Sequence, residues 1–195
     1  MDFIRLFLFS SMFSLTGVLN NLGATVLLVP EAYETIQAAI EFSSDEDTVL
    51  IAPGIYHERI NFNGKSIVVG SHLLTTGNDD FIRQTILDGD SLGTVVTIPP
   101  GSDRRTVLSG ITIQNGGQVS NGGGIFCAGS SPILEYLLIQ HCVARYGAGI
   151  YVDSSDVLVR NTTVYSNTAA SYGAGIYADS GSFSGINFLS NQGNA

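Results

Sequence analysis

The chain has no tryptophan, two cysteines, five prolines and little positive charge. Only 8 of its 195 residues are Lys or Arg, against 17 Asp or Glu, and the formal net charge is −9. Nucleic acids and anionic membrane surfaces attract clustered Lys and Arg, but Arg104-Arg105 is the single adjacent pair of basic residues in the sequence. The charge balance therefore argues against both classes of partner.

The two cysteines are Cys127 and Cys142, and both lie in the second half of the chain. In an oxidising compartment they could form a disulfide across one structural repeat. They could equally be two small side chains that fill separate interior positions. Geometry decides pairing, so both interpretations stay open at this point.

Glycine, by contrast, is abundant at 23 residues, and it recurs in a repeated phrase. Residues 122–126, 147–151 and 173–177 each place glycines before an isoleucine and an aromatic residue, so the phrase returns at nearly equal intervals. A second phrase keeps the same period, with Cys142, Asn167 and Asn191 each placed third after an apolar residue. Two signals with one period predict a solenoid whose coils stack on one another.

The composition indicates what these coils are made of. Few charges with many Gly, Ser, Asn, Thr and β-branched residues favour short strands and tight turns over helices. One segment, Tyr33 to Phe42, has helical apolar periodicity, and we predict that it forms a helix covering the first coil. The polar segment Ser71 to Gln84 is predicted as a loop. The prediction is an all-β chain of six or seven coils with a short N-terminal capping α-helix.

Residues 1–24 have the pattern of a secretory signal peptide. Arg5 provides a positive charge, Leu6 to Val18 an apolar stretch too short to span a bilayer comfortably, and Leu22-Gly23-Ala24 a small-residue cleavage site. An uncleaved anchor and a buried N-terminal strand are the alternatives. We expect a secreted or cell-surface protein without a membrane span, whose mature chain starts at Thr25.

Several segments resemble a known family. Residues 35–40 and 47–58 are similar to the N-terminal part of pectin-lyase-like right-handed β-helix proteins, and the Gly-x-Tyr-x-Glu phrase at residues 54–58 resembles that of pectinesterases. Residues 85–89 and 110–116 resemble exported bacterial β-helix repeats, and the Gly-Ala-Gly-Ile-Tyr phrase is similar to repeats of polymorphic outer-membrane adhesins. The resemblance implies that residues 25–195 form a right-handed parallel β-helix.

The resemblance is specific for the fold and weak for activity, because many functions share this scaffold. The two catalytic aspartate phrases of pectinesterases are not present as such. Asp80-Phe81-Ile82-Arg83 imitates one of them too early in the chain, and we interpret it as coincidence. Basic residues expected of a pectate lyase are also scarce after residue 106. The resemblance therefore favours an exported module that binds polysaccharide or acts in surface adhesion; the alternative is a polysaccharide-active enzyme of the pectate lyase, polygalacturonase or pectinesterase kind.

Phe126, Tyr151 and Tyr177 occupy one position of the repeat. Strand alternation turns them outward if the preceding isoleucines face inward, and adjacent coils lie about 4.8 Å apart. The three rings would then form a ladder. Such a ladder either stabilises the sheet by stacking or offers sugar rings a hydrophobic strip, and both roles can hold.

Asp153 and Asp179 follow two of these aromatic residues in one register, with Asp156 nearby. Turn-forming aspartates that bind their own backbone would produce this pattern. The three could instead bind Ca²⁺, the one cofactor considered, or Asp153 and Asp179 could be catalytic carboxylates. All three interpretations stay open.

Two polar columns are predicted inside the repeat. Asn167 and Asn191 should form an asparagine ladder along the stack, and Gln114 and Gln140 a second ladder of amides. The final coil carries no polar cap in the sequence. We therefore expect that the chain is truncated at its C-terminus, and that further coils or domains complete it.

Overall fold

In the computed structural model of the chain, the structure describes residues 23–193. Most of the predicted signal peptide, residues 1–22, and the last two residues lie outside the described part. Among residues 23–193, no helix is long and apolar enough to cross a membrane.

The described residues form short strands with three short helices. The elements in chain order are β1 Val26–Val29, α1 Ile36–Phe42, β2 Thr48–Ile51, β3 Gly54–Tyr56, β4 Ile60–Asn61, β5 Val68–Ser71, α2 Leu73–Thr76, α3 Asp80–Gln84, β6 Thr85–Asp88, β7 Val96–Ile98, β8 Val107–Ser109, β9 Thr112–Gln114, β10 Val119–Asn121, β11 Ile125–Ala128, β12 Ile133–Glu135, β13 Leu138–Gln140, β14 Val143–Tyr146, β15 Ile150–Asp153, β16 Leu158–Tyr165, β17 Thr168–Tyr172, β18 Ile176–Ala178, β19 Ser182–Leu189 and β20 Gln192–Gly193.

The strands pair in parallel with the equivalent strands of neighbouring coils. They make sheets of 11, 5 and 4 strands, and the 5-stranded sheet runs in the order β18-β15-β11-β7-β4. In that sheet Ile125 pairs with Ile150, and Ile150 with Ile176. This is the register that the repeated phrase predicts. The chain is a right-handed parallel β-solenoid of about 7 turns, as predicted.

The core runs along the inside of the coils. Ile125, Ile150 and Val152 are fully buried, while the residues between them on the same strands are partly exposed. Alternate residues of a strand point to opposite faces, so each strand gives every second side chain to the interior. Stacking the coils turns these positions into one continuous apolar core.

The asparagine ladder is confirmed at one corner of the coil. Asn167 is fully buried, and its amide donates to Ile139 O and to Asn191 Oδ1 at 3.0 Å each. Its own Oδ1 accepts from Cys142 N–H at 2.9 Å. Asn191 donates in turn to Val164 O at 2.8 Å. The amides thus satisfy backbone groups that the turn leaves without strand partners.

The N-terminal helix is present, but it begins at Ile36 and not at Tyr33 as predicted. Thr35 is its N-cap and accepts from Ala38 N–H at 3.1 Å. Two free N–H groups of the first turn, those of Ile36 and Gln37, donate to the carboxylate of Glu58 at 3.0 Å each. Since Thr35 has extended backbone geometry, the helix can start only after it.

Lys65 secures the other end of this helix. Its ammonium donates to the backbone carbonyls of Ile40, Glu41 and Ser43 at 2.7, 2.8 and 2.6 Å. These carbonyls belong to the last turn and the C-cap, where the helix dipole also favours a positive charge. The helix is therefore attached to the first coil at both ends.

The prediction of a loop from Ser71 to Gln84 is wrong, because this segment contains helices α2 and α3. Leu73 is buried against Gly110, where a Cβ would lie 2.8 Å from the Cβ of Leu73. A Cβ on Gly70 would likewise lie 2.7 Å from a methyl group of Leu74. The glycines let the insertion pack closely on the sheet, and this contact is invisible in the segment's polar composition.

Both cysteines are buried and free. Cys127 Sγ lies 3.1 Å from Ser130 Oγ, and Cys142 Sγ donates to Gln140 O at 3.3 Å. Burial raises the pKa of the Cys142 thiol to about 12. The structure therefore agrees with two separate interior thiols and not with a disulfide between Cys127 and Cys142.

The last coil of the described part is the most open. Phe183 and Phe188 are 41% and 53% exposed, although their partners in the preceding coil, Val159 and Val164, are fully buried. Side chains at core positions are thus open to solvent at this end of the described solenoid. The expected further coils or domains stay a prediction.

Candidate functional site

The predicted aromatic ladder is present on the outer face of the 5-stranded sheet. Phe126 pairs in register with Tyr151, and Tyr151 with Tyr177. The ring centroids are 5.6 and 5.2 Å apart, and the ring planes differ by only 2° and 3°. The repeat spacing alone therefore placed these three residues correctly.

A second aromatic column lies beside the first. Tyr146 and Tyr172, at the ends of β14 and β17, stack at 6.2 Å, and Tyr146 also meets Tyr177 at 5.9 Å with the ring planes 60° apart. We call the five rings Phe126, Tyr146, Tyr151, Tyr172 and Tyr177 the aromatic face. The sequence carried a signal for the second column, since a tyrosine stands just before the glycine phrase that leads to Tyr151 and again before the one that leads to Tyr177.

Glycine turns bring the two columns together. Gly147 and Gly173 separate the columns and have φ of 57° and 68°, a backbone conformation that side chains disfavour. A Cβ on either glycine would lie 2.8 or 2.7 Å from the Cβ of the tyrosine that follows, Tyr151 or Tyr177. Only glycine therefore lets the chain turn this tightly between the aromatic columns.

The predicted carboxylates Asp153 and Asp179 lie beside the aromatic face, and both contact the turn at Ser154. Asp179 accepts from the backbone N–H of Ser154 at 2.9 and 3.1 Å, and this bond, the largest influence, lowers the pKa of its carboxyl. Asp153 accepts from the hydroxyl of Ser154 at 3.0 Å. Asp153 contacts its own turn, as the turn interpretation predicts, whereas the main-chain bonds of Asp179 go to the turn of the neighbouring coil.

Asp156 is not brought into a group with the other two aspartates. It forms an ion pair with Arg104, with 2.6 Å between Oδ2 and Nη2. Asp153, Asp156 and Asp179 do not form a group with ligand atoms all within 4.8 Å of one another among residues 23–193. The geometry gives the proposed Ca²⁺ site no support.

A different cluster does have its ligand atoms within 4.8 Å of one another, and the sequence did not predict it. The ligand atoms of His57, Asp88 and Asp90 all lie within 4.8 Å of one another. His57 Nδ1 lies 2.8 Å from Asp90 Oδ1, and the hydrogen bond and charge of Asp90 raise the pKa of the imidazole. We call these three residues the His57 cluster.

Asp88 is the buried member of this cluster, with 7% of its surface exposed. Its carboxylate accepts from Gln114 Nε2 at 2.7 Å, Asn115 Nδ2 at 2.8 Å and Asp90 N–H at 3.0 Å. Burial alone would raise its pKa, but the three donors outweigh burial and the pKa is lowered. The carboxyl is therefore ionised at neutral pH in spite of its burial.

The predicted glutamine ladder holds this carboxylate. Asp88 pairs in register with Gln114, and Gln114 with Gln140, along neighbouring coils. Gln140 Nε2 donates to Gln114 Oε1 at 2.9 Å, which turns the Gln114 amide toward Asp88. The ladder continues into the coil of β6 and ends there on a charged group.

A cavity of about 210 Å³ lies over the His57 cluster. Glu58, Arg59, Gly89 and Leu92 complete its lining, and Arg59 is held there by donating to Leu92 O at 2.8 Å. The cavity leaves room beside the cluster for water or a small group.

Comparison with known proteins gives a family. The model of the right-handed β-helix region matches residues 59–194, well over half of the chain. A solved structure of a pectin methylesterase variant in complex with a hexasaccharide is similar at 12% identity and a TM-score of 0.47; the match covers 88% of this chain and 66% of that one. This chain therefore spans just under two thirds of that protein's length. A search of curated proteins finds no match. By the family match and its observed coils, the chain belongs to the right-handed β-helix family.

Proposed function

We propose that this protein is an exported β-helix module that binds polysaccharide through the aromatic face. The observation that carries the proposal is the grouping of five aromatic rings, in two adjacent columns, on the outside of the solenoid. Aromatic rings are large apolar surfaces on which the C–H faces of sugar rings can pack.

Stacking within the ladder also stabilises the sheet, by about 0.5–1.5 kcal/mol for each pair. Rings inside a stack cover one another, so a sugar must contact the rings with free surface. Tyr172 and Tyr177 are the most open, at 57% and 39% exposed. We therefore assign the sugar contact to this end of the aromatic face.

Polar groups around the rings support a role in binding hydroxyl-rich ligands. Arg145 lies with its guanidinium carbon 5.2 Å from the centre of the Tyr146 ring, and Asp153 and Asp179 are exposed at the ends of the neighbouring strands. Such donors and acceptors fix the orientation of a ligand that packs on an apolar surface. In the alternative of a polysaccharide-active enzyme, the lowered pKa of the Asp179 carboxyl does not suit the role of general acid, which needs a raised pKa.

The test measures how strongly the protein is retained on immobilised glycans. A set of neutral glycans and a set of polyuronates are measured in parallel. The double variant Tyr172→Ala, Tyr177→Ala should weaken retention at least about tenfold on whichever set binds, because each ring contributes on the order of 1 kcal/mol. Tyr165→Ala is the matched control, since Tyr165 is similarly open at 36% and packs on His141 outside the aromatic face. Unchanged retention of the double variant would contradict the proposal.

Export is part of the same proposal and is supported by the pattern of residues 1–24. N-terminal sequencing of protein recovered outside the cell should begin at Thr25. Material that starts at Met1, or that stays inside the cell, would count against export.

A further inference from the structure

The His57 cluster has the features of a metal site, and it shares no residue with the aromatic face. Its members come from consecutive coils: His57 follows β3, while Asp88 ends β6 and Asp90 comes shortly after it. Strands β3 and β6 pair in parallel, with Tyr56 opposite Leu87. The residues after these two positions, His57 and Asp88, are therefore stacked on adjacent coils.

The distances suit a single cation. A divalent transition metal lies about 2.0–2.2 Å from nitrogen and oxygen ligands, so any two of its ligands are at most about 4.4 Å apart. The ligand atoms of the cluster all lie within 4.8 Å of one another, and His57 Nδ1 is 2.8 Å from Asp90 Oδ1. Small side-chain rotations would bring all three into contact with one ion.

The buried carboxylate is held from behind, as ligands of metal sites are. Three donors from Gln114, Asn115 and the Asp90 backbone fix the Asp88 carboxylate, and Gln140 fixes the Gln114 amide. Such outer contacts orient a ligand before the metal binds. A carboxylate has room for about four hydrogen-bond or metal contacts, so three donors leave Asp88 able to bind an ion.

An ordinary ion pair does not account for this arrangement. His57 and Asp90 have side chains 60% and 47% exposed, and an ion pair this open stabilises a protein by about 0–1 kcal/mol. It requires neither a second carboxylate nor the amide column that holds Asp88. A cation shared by all three would relieve the repulsion between the two carboxylates and take the place of the proton between His57 and Asp90.

We propose that His57, Asp88 and Asp90 bind one divalent cation of the zinc or manganese kind, with the cavity above them open to water or a small anionic or hydroxyl group. One imidazole and two carboxylates suit Zn²⁺ or Mn²⁺ better than Ca²⁺, which takes six to eight oxygen ligands. Three protein ligands also leave coordination positions free, as in metal sites that bind substrates.

The experiment is calorimetric titration of the untagged full chain, freed of metal, with Zn²⁺, Mn²⁺ and Ca²⁺. We expect one site per chain for Zn²⁺ or Mn²⁺, at least about tenfold tighter than for Ca²⁺, and a rise in the melting temperature on binding. His57→Ala should remove this site, and Gln114→Ala should weaken it by about tenfold because it frees the Asp88 carboxylate to rotate.

Two controls keep the result specific. His141→Ala removes an exposed histidine that packs on Tyr165, and Asp156→Asn removes an exposed carboxylate that pairs with Arg104. Both should bind the metal as the parent chain does. Because His57 is exposed, its replacement leaves the fold intact, and circular dichroism checks this. Absence of a Zn²⁺ or Mn²⁺ site, or equal affinity in His57→Ala, would overturn the proposal.

Discussion

At the scale of single residues, the side-chain amides inside the coils stabilise the turns. The Asn167 side chain contacts the backbone of the preceding coil, at Cys142 N–H and Ile139 O, and the side chain of Asn191 in the following coil. It is fully buried, so water cannot replace these contacts. Its side chain therefore links neighbouring coils at a corner where strand pairing is interrupted.

We predict that Asn167→Ala lowers the free energy of unfolding by about 2–4 kcal/mol, because it leaves the N–H of Cys142 and the carbonyl of Ile139 buried without this partner. Chemical denaturation measures the change. Asn187→Ala, at an exposed position of β19, should stay within about 0.5 kcal/mol of the parent. Equal effects of the two substitutions would show that the ladder does not stabilise the fold.

The candidate sites were predictable only where the repeat is regular. Phe126, Tyr151 and Tyr177 recur at nearly equal intervals, and the sequence aligned them. The interval from His57 to Asp88 is longer than one regular repeat, since the insertion with α2 and α3 lies between them. This insertion breaks the period, so no spacing argument could place His57 beside Asp88.

At the scale of elements, helix α1 depends on a residue far from it in sequence. Glu58 is part of the Gly-x-Tyr-x-Glu phrase that resembles pectinesterases, and in this structure its carboxylate binds the first turn of the helix. A negative charge there also interacts favourably with the helix dipole. The phrase thus has a structural role in attaching the cap to the first coil.

Glu58→Ala should destabilise the protein by about 1–2 kcal/mol, because two N–H groups lose a charged acceptor. Glu34→Ala is the control, since Glu34 is exposed and lies just before the helix. Denaturant midpoints of the two variants give the comparison. A Glu58 variant as stable as the control would mean that water replaces the carboxylate at no cost.

At the scale of the whole molecule, each coil within residues 23–193 is stacked between two others, apart from the first and the last of this range. Helix α1 packs on β1, β2 and β4 and covers the first coil. At the other end, Phe183 and Phe188 are open to solvent. Stability in a stacked repeat is roughly a sum of coil and interface contributions, so the two ends should differ.

Hydrogen exchange should follow this asymmetry. Amides of β18 and β19 are expected to exchange fastest among the strand amides, those of β11 and β15 slowest, and those of β2 to be protected by the helix. Mass spectrometry of exchanged peptides measures the gradient. Uniform protection along the solenoid would contradict it and indicate that the whole stack opens as one unit.

The architecture could be predicted because the sequence repeats, and three aligned phrases are enough to define a coil. The insertion at residues 71–84 was not predictable, because its helices pack on Gly70, which directly precedes it, and on Gly110 of a neighbouring coil. Local composition cannot report such a contact. The second aromatic column differs, because a tyrosine directly before two of the glycine phrases, Tyr146 and Tyr172, was a signal that the alignment of the phrases did not use.

Lys65 is the one lysine of the chain, and its ammonium is engaged by three carbonyls at the end of helix α1. Reagents that target amines, such as succinimidyl esters or aldehyde surfaces, therefore find one side-chain amine, and it is held by the fold. Fluorophores or immobilisation supports attached in this way should go to the chain's N-terminal amine while the first coil is intact. Lysine labelling in turn becomes a site-specific reporter of the opening of that coil.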